Sequence, residues 1–356
     1  MSRRRRPLTA AQVVALYEDA QRCADVAGLR YVSASEPGIS RRRCGRGFSY
    51  RAADNKAVDA DLRRWIEQLA IPPAWRDVWV CSDRDGHLLA VGQDDRGRTQ
   101  YLYHERWRTL RDLLNFYRLS DVGRHLPAVR ADVATQLRRR TLDADRVLAA
   151  MLRIIDRCGL RIGNEVYAEE NDSFGLSTLT RRHVRVQGNT ISFDFPAKSG
   201  QHMSTALVDP AVARVVSALL AQRGRRVFAL DGSALTSEDV NARLAALTDS
   251  SVTAKDFRTW RGTLVAFETL RARPADTSDR QRDVLAAVDA AADALGNTRA
   301  VARAHYVHPQ LIDSYLAGTF AADVASRRPA RLPGLTESER RLLPFLDLLL
   351  DRGLQR

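Results

Sequence analysis

The chain has 356 residues, 45% of them hydrophobic, and carries 56 Lys and Arg against 43 Asp and Glu. That length and apolar content suit two domains able to bury their own cores and exclude a disordered chain. No apolar run approaches the roughly 20 residues of a membrane span, and the formal net charge of +13 points to a polyanionic partner, nucleic acid before membrane surface.

In chain order, residues 8–27 carry a helical pattern stopping at Gly28. The M-S-R-R-R-R start is not followed by the apolar stretch of a secretory signal. Ser40 to Gly47, S-R-R-R-C-G-R-G, reads as a basic loop rich in turn formers. Short strand patterns at Val78–Cys81 and Leu88–Val91 flank Asp85-Gly86, which predicts a hairpin. From about residue 106 the period becomes helical, over 106–117, 121–140 and 143–158. Val184, Val186, Ile191, Phe193 and Phe195 then alternate with polar residues around Gly188-Asn189, a second hairpin. Lys198-Ser199-Gly200 forms the next turn before Ser204–Val208. Helical patterns resume at Pro210 and include 238–247, 255–271, 279–295 and 309–317. A Pro/Arg-rich linker follows Phe320, and Thr336–Glu339 has capping-box spacing before an amphipathic segment that Pro344 would kink. The four cysteines, Cys23, Cys44, Cys81 and Cys158, lack C-x-x-C spacing and read as reduced thiols of a cytosolic protein with no zinc site. Trp65, Trp75, Trp79, Trp107 and Trp260 are assigned mostly to cores.

Lys198 stands out because Lys56, Lys198 and Lys255 are the only lysines among the 56 basic residues. Lysine can release its proton at accessible pH and arginine cannot, so a lysine kept in an arginine-dominated chain hints at proton transfer. Alone, Lys198 reads more readily as a solvated turn residue. Three further stretches bear on it. L-R-I-G-N-E-V-Y contains Arg161, T-A-K-D-F-R-T-W-R-G places Lys255 and Arg258 on one helix face, and L-G-N-T-R-A-V-A-R-A-H-Y sets Asn297 nine residues before Tyr306. Each has a bland reading: a surface arginine, a helix ion pair, a packed tyrosine. Together they supply two guanidinium forks, an acid, a hydrogen-bond donor and a nucleophilic phenol, the set that metal-free transesterification at a DNA phosphate requires.

The order Arg161, Lys198, Lys255-x-x-Arg258, Asn297, Tyr306 resembles the catalytic pentad of type IB DNA topoisomerases in their short, poxvirus-like bacterial form. The resemblance spans residues 28–320 and extends through S-R-R-R-C-G-R-G-F-S-Y, I-P-P-A-W, D-D-R-G-R-T-Q-Y-L-Y-H and E-N-D-S-F-G-L-S-T-L. It implies an α+β two-lobed DNA clamp. Residues 1–105 would form a small β-rich DNA-binding lobe, and 106–320 a larger, mainly helical catalytic lobe with a small antiparallel sheet. Residues 321–356 would be a basic linker and helical tail. It further implies that Tyr306 forms a 3′-phosphotyrosyl link, Lys198 protonates the departing 5′-oxygen, and Arg161, Arg258 and Asn297 bind the phosphate oxygens. Lys255 either assists proton transfer or orients Arg258. Arg98, Gln100, Tyr101, Tyr103 and Tyr167 match DNA contacts, although each aromatic reads also as a packed side chain. Poxviral and eukaryotic relatives carry histidine where this chain has Asn297, whereas bacterial members resemble this chain in that respect. The implied enzyme relaxes supercoils of both signs on double-stranded DNA as a cytoplasmic, nucleoid-associated monomer, with no cofactor, ATP, metal or membrane. A tyrosine recombinase and a non-catalytic basic DNA-binding protein are the alternatives. The first is disfavoured by Lys255-x-x-Arg258, where that class has His-x-x-Arg.

Overall fold

The computed structural model describes residues 10–163, 172–249, 252–274 and 277–353. The chain forms two compact units, one of Gln12–Asn115 and one built from Phe116 onward.

In the first unit, the helical pattern of 8–27 is realised as two helices, α1 (Ala10–Glu18) and α2 (Ala20–Val26). Asp19 interrupts them because its carboxylate caps the second, accepting from Arg22 N at 2.9 Å. An antiparallel five-stranded sheet has the order β2-β1-β3-β4-β5, with β1 Ile39–Cys44, β2 Gly47–Arg51, β3 Arg76–Val80, β4 Leu88–Gln93 and β5 Thr99–Tyr103. The predicted β3–β4 hairpin is present. The basic loop expected at 40–47 is instead most of a β-hairpin, paired from Ser40↔Arg51 to Cys44↔Gly47. Arg41 explains how so basic a stretch becomes a strand. It lies over the Phe48 ring at 4.2 Å and donates to the carbonyls of Ile71, Pro72 and Trp75. Helix α3 (Ala60–Gln68) contributes Ile66 to a core shared with Ile39, Val78, Val80 and Ala90. The boundary between units falls inside α4 (Glu105–Tyr117).

The second unit is mainly helical. Helix α5 (Leu119–Leu137) runs through Pro127, and α6 (Ala144–Cys158) is capped by Asp143 at one end and by left-handed Gly159 at the other. Strands β6 (Val184–Gln187), β7 (Thr190–Pro196) and β8 (His202–Val208) form the predicted antiparallel sheet, with Gln187↔Thr190 closing the Gly188-Asn189 turn. Then come α7 (Pro210–Ala221), α8 (Ser237–Thr248), α9 (Ala254–Arg271), α10 (Arg280–Leu295), α11 (Arg299–His305), α12 (Pro309–Leu316), α13 (Phe320–Ala325) and α14 (Glu337–Gly353). Helix α9 is the central element, packing on α5, α6, α10 and α14. Its Phe257, Trp260, Leu264 and Phe267 join the core with Met151, Ile154 and Phe193.

Helix α14 continues through Pro344 and buries Leu342, Phe345, Leu346 and Leu349 in the same core. The predicted capping box is present: Thr336 N donates to Glu339 Oε2 at 2.8 Å and Glu339 N to Thr336 Oγ1 at 3.2 Å. Glu339 also accepts two hydrogen bonds from Arg130 at 2.8 Å, while Arg130 grips Asp156 at 2.8 and 2.9 Å. Trp260 Nε1 donates to Glu339 Oε1 at 3.1 Å. Among the described residues no helix is long and apolar enough to cross a membrane.

Candidate active site

Arg161, Lys198, Lys255, Arg258 and Tyr306 line one cavity of about 250 Å³ in the second unit, together with Ile162, Gly163, Ser173, Phe174 and Ala254. Each arrives on a locally determined element. Arg161 leaves α6 just past its Gly159 cap. Its loop is held by Leu176 N and Ser177 N, which donate to the carbonyls of Arg161 and Ile162 at 2.8 and 2.7 Å. Gly163 and Gly175 make this close approach possible: a Cβ on Gly175 would lie 2.5 Å from the Cα and N of Gly163. Lys198 begins the single 3-10 turn Lys198–Gly200 between β7 and β8, closed by Ala197 N donating to Gln201 O at 2.7 Å. Lys255 and Arg258 project from the first turns of α9, whose start is fixed by Asp256 accepting from Thr253 N and Oγ1 at 2.7 and 2.8 Å. Asp256 is buried and pairs with buried Arg118 at 3.3 Å, so it belongs to the fold.

Arg258 is 3% exposed. Its Nη1 donates to Gly159 O, its Nη2 donates to Leu295 O at 3.0 Å, and its guanidinium carbon sits 4.9 Å from the centre of the Tyr306 ring. These carbonyls hold it in place. Its Nε–H is buried with no hydrogen-bond partner among the described residues. Burial draws the Arg258 pKa down to about 10, which leaves the group cationic at neutral pH. Burial alone would raise the Tyr306 phenol, but Arg258 first, then Arg161 and Lys255, outweigh it and pull the pKa below the usual phenol value.

Asn297 does not line the cavity but touches it through Arg161, whose Nη2 donates to Asn297 Oδ1. That bond orients the amide with Nδ2 as its donor, and Nδ2 is buried with no hydrogen-bond partner among the described residues. Buried donors left unpaired are costly unless a ligand satisfies them. Four cations and no carboxylate among the described lining residues, with one unpaired donor in the lining and a second on bordering Asn297, give surroundings chemically suited to a tetrahedral anion beside a phenol.

The sequence-predicted DNA contacts of the first unit lie on the edge strand β5 and the turn before it. Tyr101, 53% exposed, stacks on half-buried Tyr103 at 5.9 Å. Strand alternation turns Gln100 to the opposite face. Arg98 Nε and Gln100 Nε2 both donate to Asp94 Oδ2, at 2.8 and 3.0 Å, and the Arg98 side chain, helped by the backbone N–H groups of Arg98 and Arg96, holds the Asp94 carboxyl at about 2. Tyr167 lies outside the described residues. His308 is 1% exposed. Its Nδ1 accepts from Gln310 N at 3.3 Å to cap α12, its ring packs on Phe116 and Tyr117, and burial presses its pKa down to about 3. His305 is exposed, and no metal-ligand cluster occurs among the described residues. Sequence reading missed Ser173 and Phe174 as cavity-lining residues. They lie in the quoted stretch E-N-D-S-F-G-L-S-T-L, which was the available signal.

Known proteins similar to the chain agree in kind. The family described as "Eukaryotic DNA topoisomerase I, catalytic core" matches residues 104–320, and "Bacterial DNA topoisomerase IB, N-terminal domain" matches 47–94. The chain is 29% identical to DNA topoisomerase 1B of Acanthamoeba polyphaga mimivirus, over 78% of this chain and 87% of the relative. It is 26% identical to DNA topoisomerase 1B of Vaccinia virus (strain Copenhagen), over 41% of this chain and 46% of the relative. Similarity to DNA topoisomerase 1 alpha of Arabidopsis thaliana, at 31%, covers 39% of this chain and 15% of that protein.

Proposed function

The chain belongs to the type IB DNA topoisomerases, a family of isomerases, and from that premise we propose that it relaxes positive and negative supercoils through a 3′-phosphotyrosyl intermediate at Tyr306. The observation that carries this reading is the convergence of Arg161, Lys198, Lys255 and Arg258 with Tyr306 on one cavity. Double-stranded DNA is the proposed substrate and a monomer the proposed working form, in the nucleoid.

In the proposed chemistry, Tyr306 Oη attacks a backbone phosphorus and the phenolic proton leaves to solvent. The neighbouring cations that favour the phenolate also favour this step. A P–O bond to tyrosine forms as the P–O5′ bond breaks, and the leaving 5′-oxygen takes a proton from Lys198. The unpartnered Nε–H of Arg258 and Nδ2 of Asn297, with Arg161, donate to the non-bridging oxygens as charge builds there. One such donor is worth on the order of 10²–10³ in rate. Lys255 adds positive charge at the phosphate. The phosphotyrosyl bond retains the energy of the broken one, so resealing reverses the steps and consumes no ATP.

Relaxation of supercoiled plasmid of both signs in EDTA without ATP, by wild type and Tyr306→Phe, tests the reading. Relaxation of both signs by wild type and neither by the variant is expected. Relaxation that survives Tyr306→Phe would remove Tyr306 as nucleophile. No relaxation by wild type would move the site towards recombination or simple DNA binding.

A further inference from the structure

We propose that Thr263 is a positioning residue for the nucleophile: its hydroxyl, with the adjoining Gly262, clamps the backbone of Tyr306 to the helix that carries Arg258. This rests on Tyr306 being the nucleophile.

Tyr306 stands at a break. Helix α11 ends at His305, and Tyr306 has left helical geometry, with φ −131° and ψ −11°. Only Tyr306 and Val307 separate α11 from the His308 cap of α12. A residue in so short a link takes its position from what holds the link. On one side, Tyr306 N and Val307 N donate to Ala302 O at 2.9 and 3.1 Å. On the other side is Thr263, fully buried on α9. Its Oγ1 donates to Tyr306 O at 3.1 Å and accepts from His308 N at 3.2 Å. One hydroxyl therefore holds the chain immediately before and after Val307.

Gly262 lets this contact form. A Cβ there would lie 2.6 Å from Tyr306 O and 3.0 Å from Tyr306 Cβ. A glycine inside a helix is unfavourable relative to alanine. Here it gives the nucleophile's backbone direct access to α9. Positions 258 and 262 are four residues apart and share a helix face. The same stretch of α9 thus sets both the arginine that would hold the phosphate and the main chain that carries the phenol. Their relative placement is built into one rigid element rather than into a loop.

The test uses the full chain and a nicked duplex that traps the covalent adduct. Thr263→Val keeps the shape and removes the hydroxyl. It is expected to slow single-turnover adduct formation at saturating DNA by roughly 10- to 100-fold, with DNA affinity within about twofold of wild type. Thr263→Ser should restore the rate to within about threefold. A 5′-bridging sulfur substrate, which relieves the need for a leaving-group proton, should not rescue Thr263→Val. Gly262→Ala leaves the hydroxyl in place and should give the same rate-only loss, which keeps the idea testable if Thr263→Val does not fold. A wild-type rate in both variants, loss confined to DNA affinity, failure of serine to restore, or rescue by sulfur would each overturn it. Wild type and Tyr306→Phe run alongside. If wild type forms an adduct that Tyr306→Phe lacks, any failure belongs to the Thr263 clamp alone. If wild type forms none, the reading of Tyr306 falls and takes the clamp with it.

Discussion

At the scale of single residues, the site separates cations by what they can exchange. Arg258 is buried against two carbonyls and stays charged, so it suits a fixed electrostatic role. Lys198 sits exposed at a turn, where an arginine would fit as easily by size and charge. Under the proposed mechanism a lysine is needed there to donate a proton, which arginine does poorly. Lys198→Arg should therefore slow cleavage by roughly 10²–10⁴-fold with little change in DNA affinity. A 5′-bridging sulfur leaving group should restore most of the rate, and its failure to do so would count against Lys198 as the acid. Asn297 shows how a neutral residue serves beside so many cations. Its oxygen accepts from Arg161, and that bond aims its amide nitrogen as a donor. The candidates themselves were legible in the sequence, and Arg161, Lys198, Lys255, Arg258 and Tyr306 do line one cavity. The clamp on Tyr306 was not, although a glycine in the middle of a strongly helical stretch was a visible sign of close approach.

At the scale of elements, α9 organises the second unit, and the segment beyond residue 320 helps hold it. Glu339 of α14 reaches Arg130 of α5 and Trp260 of α9, and Arg130 in turn holds Asp156 of α6. The Glu339 side chain is 2% exposed. Burial alone would raise its pKa, but the Arg130 hydrogen bonds outweigh burial and hold it at about 2. An unfolded glutamate titrates near 4.3, so the folded pKa is the lower one. The contribution is fully present above about pH 4.3 and is lost as pH falls towards 2. Glu339→Gln should destabilise the protein at pH 7 by about 3 kcal/mol. It should also flatten the fall in stability between about pH 4.3 and 2. Chemical denaturation across pH measures both, and a variant with the wild-type pH profile would show that Glu339 does not carry this linkage. The capping box was readable from Thr336 and Glu339; the second task of the same carboxylate was not, because Arg130 lies 209 residues away in the chain.

At the scale of the whole molecule, a net charge of +13 makes DNA affinity an electrostatic quantity. Each phosphate neutralised by an arginine or lysine releases counterions, so log affinity should fall linearly with log salt. With about 6–10 phosphates engaged, binding to a plain duplex should weaken by roughly 10³–10⁵ between 50 and 200 mM salt. Filter binding or fluorescence anisotropy would measure the slope, and a flat response would oppose a reading built on phosphate contacts.

By itself the sequence determined the alternation of helix and strand, the change of period near residue 106, the hairpins at 78–91 and 184–195, and the choice of candidate site residues. These are local matters of side-chain period, turn chemistry and proton affinity. Its clearest miss in the fold, the hairpin read as a loop at 40–47, came from Arg41, whose partial burial depends on Phe48 and three distant carbonyls. Only the tertiary structure decided that Arg161 meets Asn297 across 136 residues, that His308 is a buried cap, and that Thr263 grips Tyr306 across 43. Such pairings follow from how helices pack in a shared core. A side chain's type and local period do not specify which distant carbonyl or hydroxyl that packing brings within hydrogen-bond reach.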